Sequence, residues 1–365
     1  MTSAVAFRVE RLALTGFRNL RDLDLRPAAR FNVLGGGNGE GKSNLLEGVY
    51  YLGCLRSFRG SRKDDLIAHG ADRARLVAWF RGGVEPREAR VELDRARPRR
   101  VALDGKRPRT TADWLLRVPM VLFHPGDLAL ASGAPEGRRA FLDRILEQVD
   151  GSYPASLAAY TKALRSRNRL LKAERPNLDM VAAYDVVLAR EGAAVGQARG
   201  ALAAALAPRA EALFARVTEE QLPLQVAYRP KVEPVEEALQ AALTASFRRD
   251  RARGFTGPGP HADDLALTVG SARRGARHHA SQGQHRLMVL SLKVSELDVL
   301  TERVGRVPVL LLDDVSSELD RSKTQRFFDV LDERGGQVFL TTTHPELFAG
   351  RGAQHRVRAG RIEGT

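Results

Sequence analysis

The feature that most limits what this chain can become is the loop Gly36-Gly37-Asn38-Gly39-Glu40-Gly41-Lys42-Ser43. It fits G-x-x-x-x-G-K-[ST]. A short apolar run at 31–34 leads into it, and Leu45, Val49 and Leu52 follow at helical spacing. Strand, glycine loop and helix, in that order, form the context in which such a loop cradles phosphates. Glycine permits φ > 0 and close backbone approach. The bared N–H groups make an anion nest, reinforced by the positive end of the helix. Lys42 is placed to reach the β- and γ-phosphates, and Ser43 to offer its hydroxyl to Mg²⁺. Asn44 continues the same nucleotide-facing turn.

A second element completes a nucleoside triphosphate site. Pro308-Val309-Leu310-Leu311-Leu312-Asp313-Asp314 reads as a buried strand ending in two carboxylates. Asp313 is positioned to hold Mg²⁺, and Asp314 to orient or deprotonate the attacking water. One Asp after a strand is an ordinary acidic turn; two of them, with the glycine loop in the same chain, point to catalysis. Ser281-Gln282-Gly283-Gln284 precedes a helix and, alone, reads as an N-cap. Its position upstream of the acidic strand, with Ser316-Ser317-Glu318-Leu319-Asp320 just after that strand, gives it more weight.

Charge adds a partner class. Lys and Arg number 58 against 44 Asp and Glu, a net +14 that favours polyanions. Arg-rich composition is the bland alternative. Three basic groups stand out: Arg56, Arg59, Arg62 and Lys63; Arg95, Arg97, Arg99, Arg100, Lys106, Arg107 and Arg109; and Arg165, Arg167, Arg169 and Lys172 along a helix. The first two are the candidate DNA contacts. No groove-reading motif accompanies them, so structure-selective binding is expected. The N-terminus carries Arg8, Glu10, Arg11 and Arg18 without the apolar core of a signal peptide. No run approaches the roughly 20 apolar residues of a membrane span. The single cysteine, Cys54, excludes an internal disulfide framework and a cysteine-rich zinc site. Together these features suggest cytoplasm and no membrane partner.

Periodicity predicts strands at 7–14, 23–25, 31–34, 75–80, 89–94 and 100–103, then a helical stretch at 135–247. After the Gly/Pro-rich run at 254–260 come a strand at 265–269, a helix at 284–300, a strand at 307–312, a helix at 322–333 and a strand at 337–342. The expected fold is α/β, with both ends of the chain joined in one head and a mainly helical lobe inserted. Its expected parts are 1–115, 116–260 and 261–365.

The order of glycine loop, S-x-G-Q segment, acidic strand and following acidic segment resembles an ABC-type ATPase head. In that family the signature residues Ser281, Gln282, Gly283 and Gln284 would complete the site of a second subunit, and Asp320 would sit in the D-loop. The resemblance narrows further. Leu12-Ala13-Leu14-Thr15-Gly16-Phe17-Arg18-Asn19-Leu20, Phe123-His124-Pro125-Gly126-Asp127-Leu128, Pro135 to Asp143, Gly259-Pro260-His261-Ala262-Asp263-Asp264-Leu265 and Ala280 to Arg286 are similar to the RecF family of bacterial recombination mediators. Asp314 stands where ABC ATPases usually carry Glu, and the shorter side chain suits a slow switch.

The resemblance implies an SMC- and Rad50-like head without the long coiled coil, with ATP and Mg²⁺ as cofactors. It implies a weak, DNA-stimulated ATPase that dimerises with ATP and binds double-stranded DNA, single strands and gap junctions. RecO and RecR would be its partners, and RecA its indirect one, in repair, replication and the SOS response. Arg18 and Asn19 would approach the nucleotide. Asp127 would lie in the Q-loop region as a further metal-side carboxylate, and His344 at the γ-phosphate sensor position. The alternative is a nucleotide-binding subunit of another ABC-type assembly. A membrane transporter of that class would leave the basic hairpins and the helical insert unexplained.

Overall fold

The computed structural model describes residues 5–82, 87–219, 222–315 and 321–363. The chain divides into two compact units, one of Met1–Asp127 with Glu296–Thr365 and one of Leu128–Ser295.

Beside the short parallel pair Val5–Ala6 with Arg306–Val307, the first unit holds two large sheets. One runs in the order Arg361–Glu363, Ala353–Arg358, Phe31–Gly35, Val338–Thr342, Val309–Leu312, Met120–Phe123. Its neighbours are parallel except for the edge hairpin formed by the first two. The four strands from Phe31–Gly35 to Met120–Phe123 are buried throughout. Burial on both faces explains why they read as unbroken apolar runs. Parallel pairing puts the carboxyl ends of Phe31–Gly35 and Val309–Leu312 on one edge, where open α/β sheets bind ligands.

The helix Lys42–Cys54 buries Leu45, Leu46, Val49 and Leu52. It also carries Gly48 and Gly53, which cost helix stability. Close approach accounts for both: an added Cβ would stand 2.7 Å from Leu14 Cδ1 and 2.5 Å from Met120 Sδ. The second sheet is antiparallel, in the order Leu20–Leu25, Arg8–Phe17, Arg73–Arg81, Glu88–Asp94, Arg100–Leu103. Glu88–Asp94 alternates buried and half-buried positions, as a strand covered on one face should.

The second unit contains the helices Pro135–Val149, Tyr153–Leu171, Leu178–Thr218 and Glu236–Arg253. It also has a three-stranded antiparallel sheet, Arg274–Gly275, Asp264–Val269 and Leu224–Arg229. Its landmark motifs grip one another. Arg138 forms a fork with Asp264 at 2.7 and 3.0 Å, and Arg139 donates to the Asp263 carbonyl at 2.7 Å. Buried Arg199 pairs with Asp143 at 2.7 and 2.9 Å. Arg167, counted from the sequence among surface cations, is fully buried between Asp185, Asp250 and Thr256. A buried ion pair of this kind costs about 3–5 kcal/mol to break from one side, so Arg167 belongs to the packing.

The observed division differs from the expected boundaries at 115/116 and 260/261. Met120–Phe123 pairs in register with Val309–Leu312, which draws 116–127 into the first unit. Asp264–Val269 pairs with Leu224–Arg229, which draws 261–295 into the second. The strand Leu224–Arg229 also interrupts the helical stretch expected at 135–247.

Candidate nucleotide site

The glycine loop leaves Phe31–Gly35 and ends on the helix Lys42–Cys54. Gly36, Gly39 and Gly41 have φ of 153°, 80° and 111°. A side chain at Gly36 would collide with the Val357 carbonyl. Lys42 is 8% exposed, and its Nζ donates to the carbonyls of Gly36 and Gly37, both at 2.7 Å. Burial pushes its ammonium below the ordinary lysine range, while Asp314, Asp313 and Glu40 oppose that shift. The cation is thus held against its own loop, close to acidic neighbours.

The metal end joins the first turn of the helix Lys42–Cys54 to the ends of two strands. Ser43 Oγ donates to Asp313 Oδ1 at 2.8 Å, and Thr341 Oγ1 donates to the same oxygen at 2.7 Å. The Asp314 N–H donates to Thr341 Oγ1 at 3.0 Å. Asp314 takes the left-handed conformation, φ 52°, uncommon for a residue with a side chain. A serine hydroxyl beside a carboxylate suits a hard cation. Among the described residues no group of three or more His, Cys, Asp or Glu gathers for metal binding. Mg²⁺ requires none, since it keeps several waters and takes one or two protein ligands. The residues therefore fit Mg²⁺ with a nucleotide.

Around this core lies a polar web. Asn44 Nδ2 donates to Asn19 Oδ1 at 2.8 Å, which brings two expected nucleotide residues together. The guanidinium of Arg18 is engaged by fully buried Glu47 at 2.9 and 3.1 Å and by the Asp65 carbonyl at 2.9 Å. Glu47 also accepts from Ser57 and stands 3.7 Å from Arg59. Thr341 and Glu47 were not apparent as site residues in the sequence. Only an acid on the buried side of the first helix hinted at Glu47.

The remaining candidates separate clearly. The Asp127 carboxylate accepts from the His124 backbone at 3.0 Å and closes its own turn. His344 has a side chain 61% exposed and pairs with Glu346 at 3.0 Å. Asp320 lies outside the described residues. At the signature, the Ser281 N–H donates to Gln284 Oε1 at 2.8 Å and the Gln284 N–H to Ser281 Oγ at 3.2 Å. That reciprocal cap opens the helix Gln282–Val304. Ser281 and Gln282 are exposed, and an added Cβ on Gly283 would meet nothing within 4 Å.

The basic groups divide into braces and surface. Arg95 donates to the carbonyls of Ala71 at 2.9 Å and Asp64 at 3.3 Å. Lys63 donates to those of Arg95 and Arg97 at 3.2 and 2.9 Å. Arg99 binds the Tyr51 hydroxyl at 3.0 Å, and Arg59 binds Asn44 Oδ1 at 2.7 Å. Arg56 is half-buried. Arg62, Arg97, Arg100, Lys106 and Arg107 are exposed. A groove of about 960 Å³ is lined by Arg90, Arg97, Arg99, Arg100, Arg107 and Arg109, with Glu92 as its acid.

Comparison with known proteins places this geometry. The family model for the RecF/RecN/SMC N-terminal domain matches residues 8–361. The chain is 41% identical to the DNA replication and repair protein RecF of Myxococcus xanthus (strain DK1622), over 95% of this chain and 93% of that protein. It is 40% identical to RecF of Anaeromyxobacter sp. (strain Fw109-5), over 92% of each. A solved structure of the recombination mediator protein RecF with ATP superposes with a TM-score of 0.86 at 27% identity, covering 100% of this chain and 99% of that one. An Smc head domain from Pyrococcus furiosus, at 16% identity and a TM-score of 0.57, covers 98% of this chain and 95% of that one and shares the fold. The two units thus form an ABC-type ATPase head with a helical insert, and the chain belongs to the RecF/RecN/SMC family, in its RecF branch.

Proposed function

We propose that this chain is an ATP-dependent, DNA-binding recombination mediator that works as a homodimer closed by ATP. One observation carries the reading. The loop Gly36–Ser43 meets Asp313 and Thr341 in a finished phosphate and metal end, while Ser281 and Gln282 stand exposed and Ser281 and Gln284 cap each other.

Bound Mg²⁺ and ATP supply the electrophilic phosphorus and neutralise its charge. The chain's own groups do the rest. Lys42 meets the β/γ-phosphate charge, and Ser43 with Asp313 holds the metal. Asp314 accepts the proton of the attacking water. Ser281 and the N-terminus of its helix offer a hydroxyl and a positive dipole to the γ-phosphate held by a second chain. A γ-phosphate is what distinguishes ATP from ADP, so closure follows ATP and opening follows hydrolysis. The short Asp314 suits slow turnover, stimulated by DNA.

The arginine groove and Arg62 supply cations for DNA phosphates, which fix position without reading sequence. Double-stranded DNA, single strands and their junctions are the proposed ligands. The solved relative is named within the RecFOR pathway, and RecO and RecR are accordingly the proposed partners, with RecA loaded at gaps as the outcome. The site of action is the cytoplasm; no helix among the described residues is long and apolar enough to cross a membrane.

Sedimentation velocity of the purified chain, with and without ATP and gapped DNA, tests this reading. A dimer that requires ATP and co-sediments with gapped DNA supports it. A monomer under every condition contradicts it.

A further inference from the structure

The helix Lys42–Cys54 carries one acid, Glu47, and its side chain is wholly buried. A carboxylate out of water needs charged partners. Glu47 has two. Arg18 closes on it as a fork, Nε to Oε2 at 2.9 Å and Nη2 to Oε1 at 3.1 Å, and the Arg59 guanidinium stands 3.7 Å away.

These partners belong to a closed ring of side chains. Arg18 and Asn19 form the turn between the strands Arg8–Phe17 and Leu20–Leu25. Arg18 bonds Glu47, and Asn19 bonds Asn44, three positions earlier on the same face of the helix. Arg59 spans the remaining gap, its Nη1 donating to Asn44 Oδ1 at 2.7 Å. Arg18 holds the left-handed φ of 53°, a conformation kept only where neighbours fix it. Its N–H donates to the Leu66 carbonyl at 2.8 Å.

The segment 57–61 converges on the same acid. Ser57 Oγ donates to Glu47 and accepts from the N–H groups of Arg59 and Ser61 at 3.0 and 3.3 Å. Arg18 Nη2 donates to Ser61 Oγ. Arg62 follows at once with its side chain exposed. Glu47 therefore sits between a nucleotide-facing residue, Asn44, and the basic segment offered to DNA.

We propose that Glu47 is a positioning residue that couples the nucleotide site to this segment, so that ATP and DNA each tighten the binding of the other; the proposal rests on the ATP and DNA reading above. A nucleotide that draws on the Asn44 amide frees the Arg59 Nη1 donor. Glu47 keeps the freed guanidinium in place, beside Arg62, where a DNA phosphate can take it. A phosphate on Arg59 in turn releases the Asn44 amide to the nucleotide. The hold depends on charge: a neutral amide at position 47 keeps the shape but not the attraction for two guanidiniums.

The test reads coupling as well as affinity. Fluorescence anisotropy of a labelled duplex, at fixed salt, gives the factor by which a nonhydrolysable ATP analogue with Mg²⁺ tightens DNA binding. Calorimetry gives the factor by which the duplex tightens the analogue, and linkage requires the two to agree. The unmodified chain should show about tenfold, and Glu47→Gln about twofold or less. In that variant DNA alone and analogue alone should bind within about threefold of their unmodified affinities, and ATP-dependent dimers should still sediment. Glu47→Asp, which keeps the charge, should restore the factor to about fivefold or more.

Full coupling in Glu47→Gln overturns the proposal. So does a loss of both separate affinities with the factor unchanged, the mark of a residue that only supports the fold. If Glu47→Gln does not fold, Arg59→Gln opens the ring from its exposed side and must lose the coupling as well; full coupling there overturns the proposal. An unmodified chain that binds ATP and DNA without coupling sinks this proposal alone. One that binds neither sinks the reading beneath it too.

Discussion

The helix Lys42–Cys54 begins inside a web of contacts, whereas the helix Gln282–Val304 begins in the open. Both N-termini present N–H groups without a partner inside the helix and a positive dipole end. At the first, Lys42 lies on loop carbonyls, Ser43 on Asp313, Asn44 on Asn19, and Glu40 on the turn Ala359-Gly360. Each contact ties the loop or the helix start to the loop's own carbonyls, to a strand end or to a turn. At the second, the Ser281 and Gln284 side chains cap each other's backbone N–H groups, and an added Cβ on Gly283 would meet nothing within 4 Å. The same local device, a helix terminus that favours anions, is finished in one place and left available in the other. A finished terminus makes a ligand site in one chain; an available one makes half of a shared site.

The largest effect should follow from breaking the finished end. Lys42→Met removes the phosphate cation, and ATP affinity should fall about a hundredfold or more by calorimetry. Next is Asp314→Asn, which keeps the charge-assisted loop but loses the base. Single-turnover hydrolysis should slow about a hundredfold while ATP still binds. Ordinary turnover in that variant would remove Asp314 from the chemistry.

Thr341→Val keeps the shape but loses both bonds that orient Asp313 and Asp314. ATP affinity should drop about tenfold with Mg²⁺ present, and the difference should vanish in chelator. The smallest effect belongs to the open end. Gln284→Ala removes half of the reciprocal cap, worth about 1 kcal/mol. Melting should move by about 2 °C, and monomer affinity for ATP should stay unchanged. A change in monomer affinity would erase the contrast between the two termini.

The sequence carries the core of this site plainly, because its parts are local. The loop Gly36–Ser43, the strand Val309–Leu312 and the helix after Ser281 each announce themselves by spacing. What depends on register is silent. Thr341 reaches Asp313 only because Val338–Thr342 lies between Phe31–Gly35 and Val309–Leu312. Met120–Phe123 is four apolar residues, and so short a run cannot be told from buried helix by period alone. The expected boundary at 115/116 accordingly leaves it with the lobe. The C-terminal hairpin alternates charged and apolar residues at the far end of the chain, and nothing local connects it to Glu40. Arg167 shows the same limit: a basic run on a helix predicts a solvated face, yet Asp185 and Asp250 turn one member inward. Composition counts charges, but only tertiary packing decides which are available to DNA.

The shared site can be tested directly by complementation. Ser281→Arg should bind ATP as a monomer and fail to dimerise, and Lys42→Met should fail to dimerise for want of ATP. Mixed in equal amounts with ATP, they can still form one intact site, from Lys42 of one chain and Ser281 of the other. Sedimentation velocity should then show a dimer in the mixture and in neither variant alone. A Ser281→Arg chain that dimerises by itself as the unmodified chain does, or a mixture that stays monomeric, would contradict the account.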